Sequence, residues 1–198
     1  MEENKSTKEK ILATALDLFS KNGFADSSIR MIAREVGIRE SAIYNHFKSK
    51  EEILQKLIKT RKNIDSNLLD DELLNELSNP HVFLKKFSGK LLERWNTEEE
   101  IKFFRLSSIE KYRDANDKKI FNDNFLGEIK SVLKMIFTEL IKHKVIIKIE
   151  PELLVDEFLA ILLVLRAEYL HELPPVELKK INTKLVNHVN FFWNAVKM

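Results

Sequence analysis

From Ser27 to Lys50 the chain reads SSIRMIAREVGIRESAIYNHFKSK, and this stretch restricts the possible folds more than any other. Ile29, Ile32, Ala33 and Val36 recur at the spacing of one helical face. Gly37 comes next, and a residue without a Cβ accepts turn geometries that others avoid. A second helical pattern follows, with Ile38, Ile43 and Phe47 apolar and Arg39, Ser41, Tyr44, Asn45 and His46 on the opposite side. Ala33 is small enough for the two helices to cross closely beside Gly37. Helix, glycine turn, helix is the layout of a helix-turn-helix, whose second helix enters the major groove of DNA.

A longer run carries a more specific likeness. Ala15, Leu18 and Phe19, Gly23–Phe24, Ile32–Ala33, Val36–Gly37–Ile38, and above all the unbroken segment IYNHFKSKEE from Ile43 to Glu52, resemble the DNA-binding domain of the TetR family of bacterial transcriptional regulators. The likeness covers Ile11 to Leu54, and the rest matches only in length and helical texture. It implies an all-α fold of about nine helices. Residues 1–48 would be a three-helix, helix-turn-helix DNA-binding domain, and residues 49–198 a helical domain for ligand binding and dimerisation. It further implies that Ser41, Ala42, Tyr44, Asn45 and His46 face the groove, with Asn45 suited to adenine and Ala42 to a thymine methyl. Tyr44, His46 and Lys50 would clamp phosphates, helped by Arg30 and Lys48, with Lys50 at the anion-favouring start of a helix. Two positions depart from the family habit: Arg39 stands where Ser or Thr is common, and Ala42 where Thr is. Arg39 either reads guanine or points to water, and Tyr44 and His46 could instead pack against the first helix.

Charge and composition agree with this reading. The basic excess is concentrated in the first third of the chain, which suits phosphate contact, and the remainder is slightly acidic. With no cysteine, disulfides and thiolate metal sites are excluded. The opening MEENKSTKEK lacks the apolar core of a signal peptide. The longest apolar run, Phe158–Leu165, falls far short of the ~20 residues a membrane span needs. No membrane contact and a cytoplasmic location are therefore expected.

Taken in order, the chain reads as a succession of helices. Ser6 and Glu9 form a capping box for the first, which stops at Gly23. Ser27 or Ser28 caps the second. Ser49 and Glu52 cap a fourth, whose apolar positions Leu54, Leu57, Ile58, Ile64 and Leu68 extend beyond the first domain and would tie the two together. Pro80 opens a fifth helix, and a sixth spans Glu98–Glu110. A turn at Asp114–Asp117 precedes a seventh with Phe121, Phe125, Ile129, Val132, Met135, Ile136 and Leu140 inward. Residues Lys144–Ile149 alternate weakly, as in a short extended connection. Pro151 opens an eighth helix running to His171, and a ninth occupies 175–196. Phe158–Leu165 is apolar all round, so that helix needs cover on every side. The family pairs its last two helices with those of a second copy, so 151–171 and 175–196 are the expected homodimer interface.

The resemblance also implies a small-molecule effector cavity among helices four to eight. The residues chosen for it are Trp95, Phe104, Tyr112 and Phe125, taken from a segment rich in aromatics that would otherwise be core filling. Arg105, Arg166 and Glu168 are mid-helix charges expected to be solvated or paired. The expected function is a ligand-released repressor of a palindromic double-stranded operator. The alternative is a DNA binder of the same fold whose second domain holds a protein. An enzyme is not expected: HExxH, GxxxxGK[ST] and GxGxxG are missing, and the five histidines lack metal-ligand spacing. No cofactor and no metal are expected.

Overall fold

The computed structural model describes residues 6–65, 69–111, 126–172 and 174–198. Among them are ten α-helices and no strand. The helices are α1 Thr7–Asn22, α2 Ile29–Val36, α3 Glu40–Tyr44, α4 Lys50–Asp65, α5 Asp71–Asn75, α6 Pro80–Trp95, α7 Glu98–Lys111, α8 Gly127–Lys142, α9 Pro151–Tyr169 and α10 Lys179–Val196. Contacts divide the chain into two units. One gathers residues up to Asp65 with the segment beginning at Glu99, and the other holds Ser66–Glu98 and the C-terminal helices.

In the first unit, local chemistry sets the helix ends. The Ser6 amide donates to the Glu9 carboxylate (2.8 Å) while the Glu9 amide donates to Ser6 Oγ (3.3 Å), the reciprocal capping box. α1 stops at Gly23, where φ is +83° and the amide donates to the Phe19 carbonyl. Ser28 Oγ accepts from the Met31 amide and caps α2. Gly37 ends α2 in the left-handed region, at φ +78° and ψ +32°. Its amide reaches the Ala33 and Arg34 carbonyls, and the chain turns at once towards α3.

This unit is larger than the 1–48 segment expected. Its core joins Ile11, Ala15 and Phe19 of α1, Ile32 and Ala33 of α2, Ile43 and Phe47, Ile53, Leu54 and Leu57 of α4, and Phe103 and Leu106 of α7. Three polar contacts reinforce the α7 seam. Arg61 Nε donates to Glu100 Oε1 at 2.6 Å, with Glu100 wholly buried. Lys102 Nζ lies 3.2 Å from Asp17 Oδ1. The Phe24 amide donates to the buried Glu110 carboxylate at 2.8 Å. Glu100, Phe103, Leu106 and Glu110 lie along one helical stripe, so α7 buries an acid at each end of an apolar face.

α4 is described as Lys50–Asp65, and its expected extension through Leu68 lies outside the described residues; a separate helix starts at Asp71 because Asp70 Oδ1 accepts from the Leu73 amide (2.9 Å). A short side chain that bonds its own backbone outcompetes helix continuation there. This short α5 is the tenth helix. The Ile64 side chain, Leu68, the Asp114–Asp117 turn and Phe121 lie outside the described residues.

The second unit packs α6, α8, α9 and α10 around interlocked rings. Phe158 meets Phe192 at 5.1 Å and Phe137 at 6.1 Å between centroids, and Phe137 meets Phe192 at 5.7 Å. In α8 the inward stripe is Leu133, Ile136 and Phe137; Met135, expected inward, is 62% exposed. Counting the stripe from Leu133 rather than Val132 accounts for the difference. Of the expected extended connection Lys144–Ile149, Lys144 instead sits in a turn at φ +57°, while Ile146 is bridged to Lys197 and the Ile147 amide donates to the Val196 carbonyl (2.8 Å). α10 starts at Lys179, later than expected, because the Asn96 side chain exchanges two hydrogen bonds with the Val176 backbone (2.8 and 3.2 Å). Leu153, Ile161 and Val164 of α9 and Phe191 of α10 remain exposed.

Two outcomes follow from the first unit. Gly37→Ala adds a Cβ that meets nothing within 4 Å, so only its backbone strain counts. It should lower stability by about 1 kcal/mol, read as a fall in urea midpoint. Glu100→Ala strips Arg61 of a buried counter-charge and should cost about 3 kcal/mol on the same measurement.

Candidate nucleic-acid interface

The polar face of the second helical pattern points outwards because its apolar face is anchored. Ile43 is wholly buried, and the His46 and Phe47 amides both donate to its carbonyl (2.9 and 3.0 Å), folding Phe47 back into the core. Regular α3 therefore lasts only from Glu40 to Tyr44, with Asn45 and His46 in the turn that follows. Lys8 Nζ lies 5.4 Å from the Phe47 ring centre and covers that ring from α1.

Tyr44 is 54% exposed. Asn45, His46, Ser41, Arg39, Arg30 and Lys48 are exposed as well, and Ala42 is half-buried. Arg39 is the residue before α3 and makes no capping bond with its side chain. Arg30, Arg34, Arg39, Glu40 and Ser41 line an open groove of about 630 Å³ beside the α2–α3 turn. Three guanidiniums on one groove form a surface suited to a polyanion.

Lys50 behaves differently from the sequence expectation. Its ammonium donates to the carbonyls of Phe24 (2.6 Å), Ser27 (2.7 Å) and Ala25 (3.3 Å), and lies 4.3 Å from the centre of the Phe24 ring. An ammonium has three N–H donors, and all three are directed at the α1–α2 loop. The start of α4 is likewise closed by its own side chains. Ser49 Oγ accepts from the Glu52 amide (3.3 Å) and the Glu52 carboxylate accepts from the Lys48 amide (2.6 Å). The Glu51 carboxyl is held below its ordinary range by its own backbone amide and by the Ser49 hydroxyl. Sequence reasoning placed a positive charge and free amides here, but nothing in the linear pattern reveals that carbonyls over twenty residues upstream take the charge.

The four residues chosen for an effector cavity fall in different units or outside the described residues. Trp95 is buried in the second unit, with the guanidinium carbon of Arg166 4.7 Å from its ring centre. Phe104 belongs to the first unit, and Tyr112 and Phe125 lie outside the described residues. Arg166 is wholly buried, Arg105 half-buried and Glu168 exposed. The buried acids Glu100 and Glu110 were missed; the signal was an acid at each end of the apolar stripe of α7. Among the described residues no group of acids and histidines could hold a metal, and no helix is long and apolar enough to cross a membrane.

Residues 11–57 match the family model described as bacterial regulatory proteins, tetR family. The HTH-type transcriptional regulator YerO of Bacillus subtilis is 53% identical over 47 residues, 24% of this chain and 16% of YerO. IcaR of Staphylococcus epidermidis, a negative transcriptional regulator of the biofilm operon icaADBC, is 31% identical over 90 residues, 44% of this chain and 49% of IcaR. The chain thus spans less than half the length of either relative. The fold extends further than the sequence match. A transcriptional regulator of the TerR/AcrR family from Aquifex aeolicus superposes with a TM-score of 0.70 at 21% identity, covering 94% of this chain and 99% of that one. The head is thus matched in sequence to the tetR family of bacterial regulatory proteins, and the remaining helices are matched in fold.

Proposed function

We propose that this protein is a transcriptional repressor that binds a palindromic double-stranded operator as a homodimer and is released by a small apolar or amphipathic effector. The observation that carries the reading is the outward polar face at α3, resting on a buried Ile43 and Phe47. Tyr44, Asn45, His46, Ser41 and Ala42 meet the major groove, and Arg30, Arg39 and Lys48 meet phosphates or guanine edges. Lys50 acts instead as the pin of the α1–α2 loop, since its three donors are already engaged.

Dimerisation is supported by the apolar residues left on α9 and α10. Ile161 and Val164 are one turn apart on α9, with Ala160 and Ala167 also exposed on that helix, and Phe191 of α10 is 75% exposed. A second copy covering this face presents two α3 helices, which sets half-sites about one helical turn apart, ~34–36 Å or more. For release, the effector must favour the non-binding state by about 5.5 kcal/mol to make the switch nearly complete. It would act through α4 and α7, the helices whose side chains build the head's core. The interlocked Phe137, Phe158 and Phe192 favour a second reading, in which the second unit receives a protein rather than a small ligand.

The deciding experiment is fluorescence anisotropy on a palindromic duplex selected from genomic fragments, at several salt concentrations and with lipophilic compounds added. Tyr44→Ala should weaken binding by about 1–3 kcal/mol. Arg30→Ala should reduce the slope of log K against log salt by about one unit, while Lys50→Met should leave that slope unchanged and lower the melting temperature. Val164→Glu should sediment as a monomer and lose affinity for the palindrome. No retention of any duplex by the unmodified protein would end the proposal.

A further inference from the structure

The first residue of α3 carries the wrong charge for a surface that meets phosphates. Glu40 is exposed and lines the same open groove as Arg30, Arg34, Arg39 and Ser41. Arg30 Nε lies 4.0 Å from Glu40 Oε1, with the two side chains 87% and 50% exposed. An ion pair that long and that wet neutralises little. A carboxylate brought against a polyanion loses its water and gains repulsion, unless it finds donors. Donors do exist at the floor of the major groove, and residues at the N-terminus of a recognition helix are the ones that reach base edges.

The chemistry of those edges narrows the choice. Guanine presents only acceptors there, and thymine an acceptor and a methyl group. Adenine presents an amino group beside the N7 acceptor, which repels one oxygen of a carboxylate. Cytosine presents its N4 amino group alone. Resting on the DNA-binding reading above, we propose that Glu40 is a specificity-determining residue that accepts a hydrogen bond from a cytosine amino group in each half-site. It rejects guanine and thymine at that position because their acceptors face its oxygens. Arg39, lining the same groove, offers the complementary donors for guanine O6 and N7, so the adjacent pair matches a G·C-containing step.

The test is selection from a random duplex pool by the full-length protein, by Glu40→Ala and by Glu40→Gln, at one salt concentration, with the enriched sequences read out. The unmodified protein should enrich a symmetric motif with cytosine at one position of each half-site. Glu40→Ala should lose that preference by about tenfold or more with the other positions retained, on the scale of one good base contact. Glu40→Gln should shift it towards adenine, since an amide both donates to N7 and accepts from N6. An unchanged motif in Glu40→Ala overturns the assignment, as does uniformly tighter binding without a change of motif, which would make the carboxylate a mere repulsive charge. A motif in the unmodified protein without the cytosine overturns it too and leaves the DNA-binding reading standing. No enriched motif at all overturns both.

Discussion

Burial of Ile43 and Phe47 is the constraint on which the exposed face depends. Both side chains enter a core supplied by α1, α2, α4 and α7, so Tyr44, Asn45 and His46 are turned outwards as a consequence of what is hidden. A five-residue helix has too few internal hydrogen bonds to persist alone. α3 is stable because its neighbours grip one side of it. Gly37 makes that grip possible by reversing the chain at positive φ, and Lys50 and Glu110 hold the α1–α2 loop from two directions.

The extent to which this was legible in the sequence follows the range of the interactions. Helix starts and stops set by neighbours three or four residues apart were readable: the Ser6–Glu9 box, the Gly23 and Gly37 ends, and the Ser49 cap. So was the outward polar face of α3, because Ile43 and Phe47, about one helical period apart, mark the opposite, buried side. Long-range partners were not readable. Arg61 and Glu100 are 39 positions apart and Phe24 and Glu110 are 86 apart, so nothing local marks them as a pair. The break before α5 was overlooked because it rests on Asp70, a capping residue, and not on a proline or glycine. Lys50 was given a plausible local role that three distant carbonyls overrule.

The aromatic residues show the same limit from another side. Their density between Phe83 and Phe125 suggested a cavity, yet the ring clusters that form draw on Phe137, Phe158 and Phe192 from beyond that segment. Composition located the apolar weight correctly but not its partners. Arg166 is a buried charge within that apolar interior, a cation laid over Trp95 where the aromatic face offers partial compensation for lost water.

The membership of α7 in the first core has a practical corollary for dissecting proteins of this design. A polypeptide cut after Asp65 would keep every residue of the helix-turn-helix and still be incomplete. Phe103 and Leu106 would be gone from its interior, Arg61 would have lost its acid, and the Phe24 amide its acceptor. Grafting the first sixty-five residues onto another sensor would therefore transplant a head with an unfilled slot. A transferable unit must bring the stripe from Glu100 to Glu110 along with it.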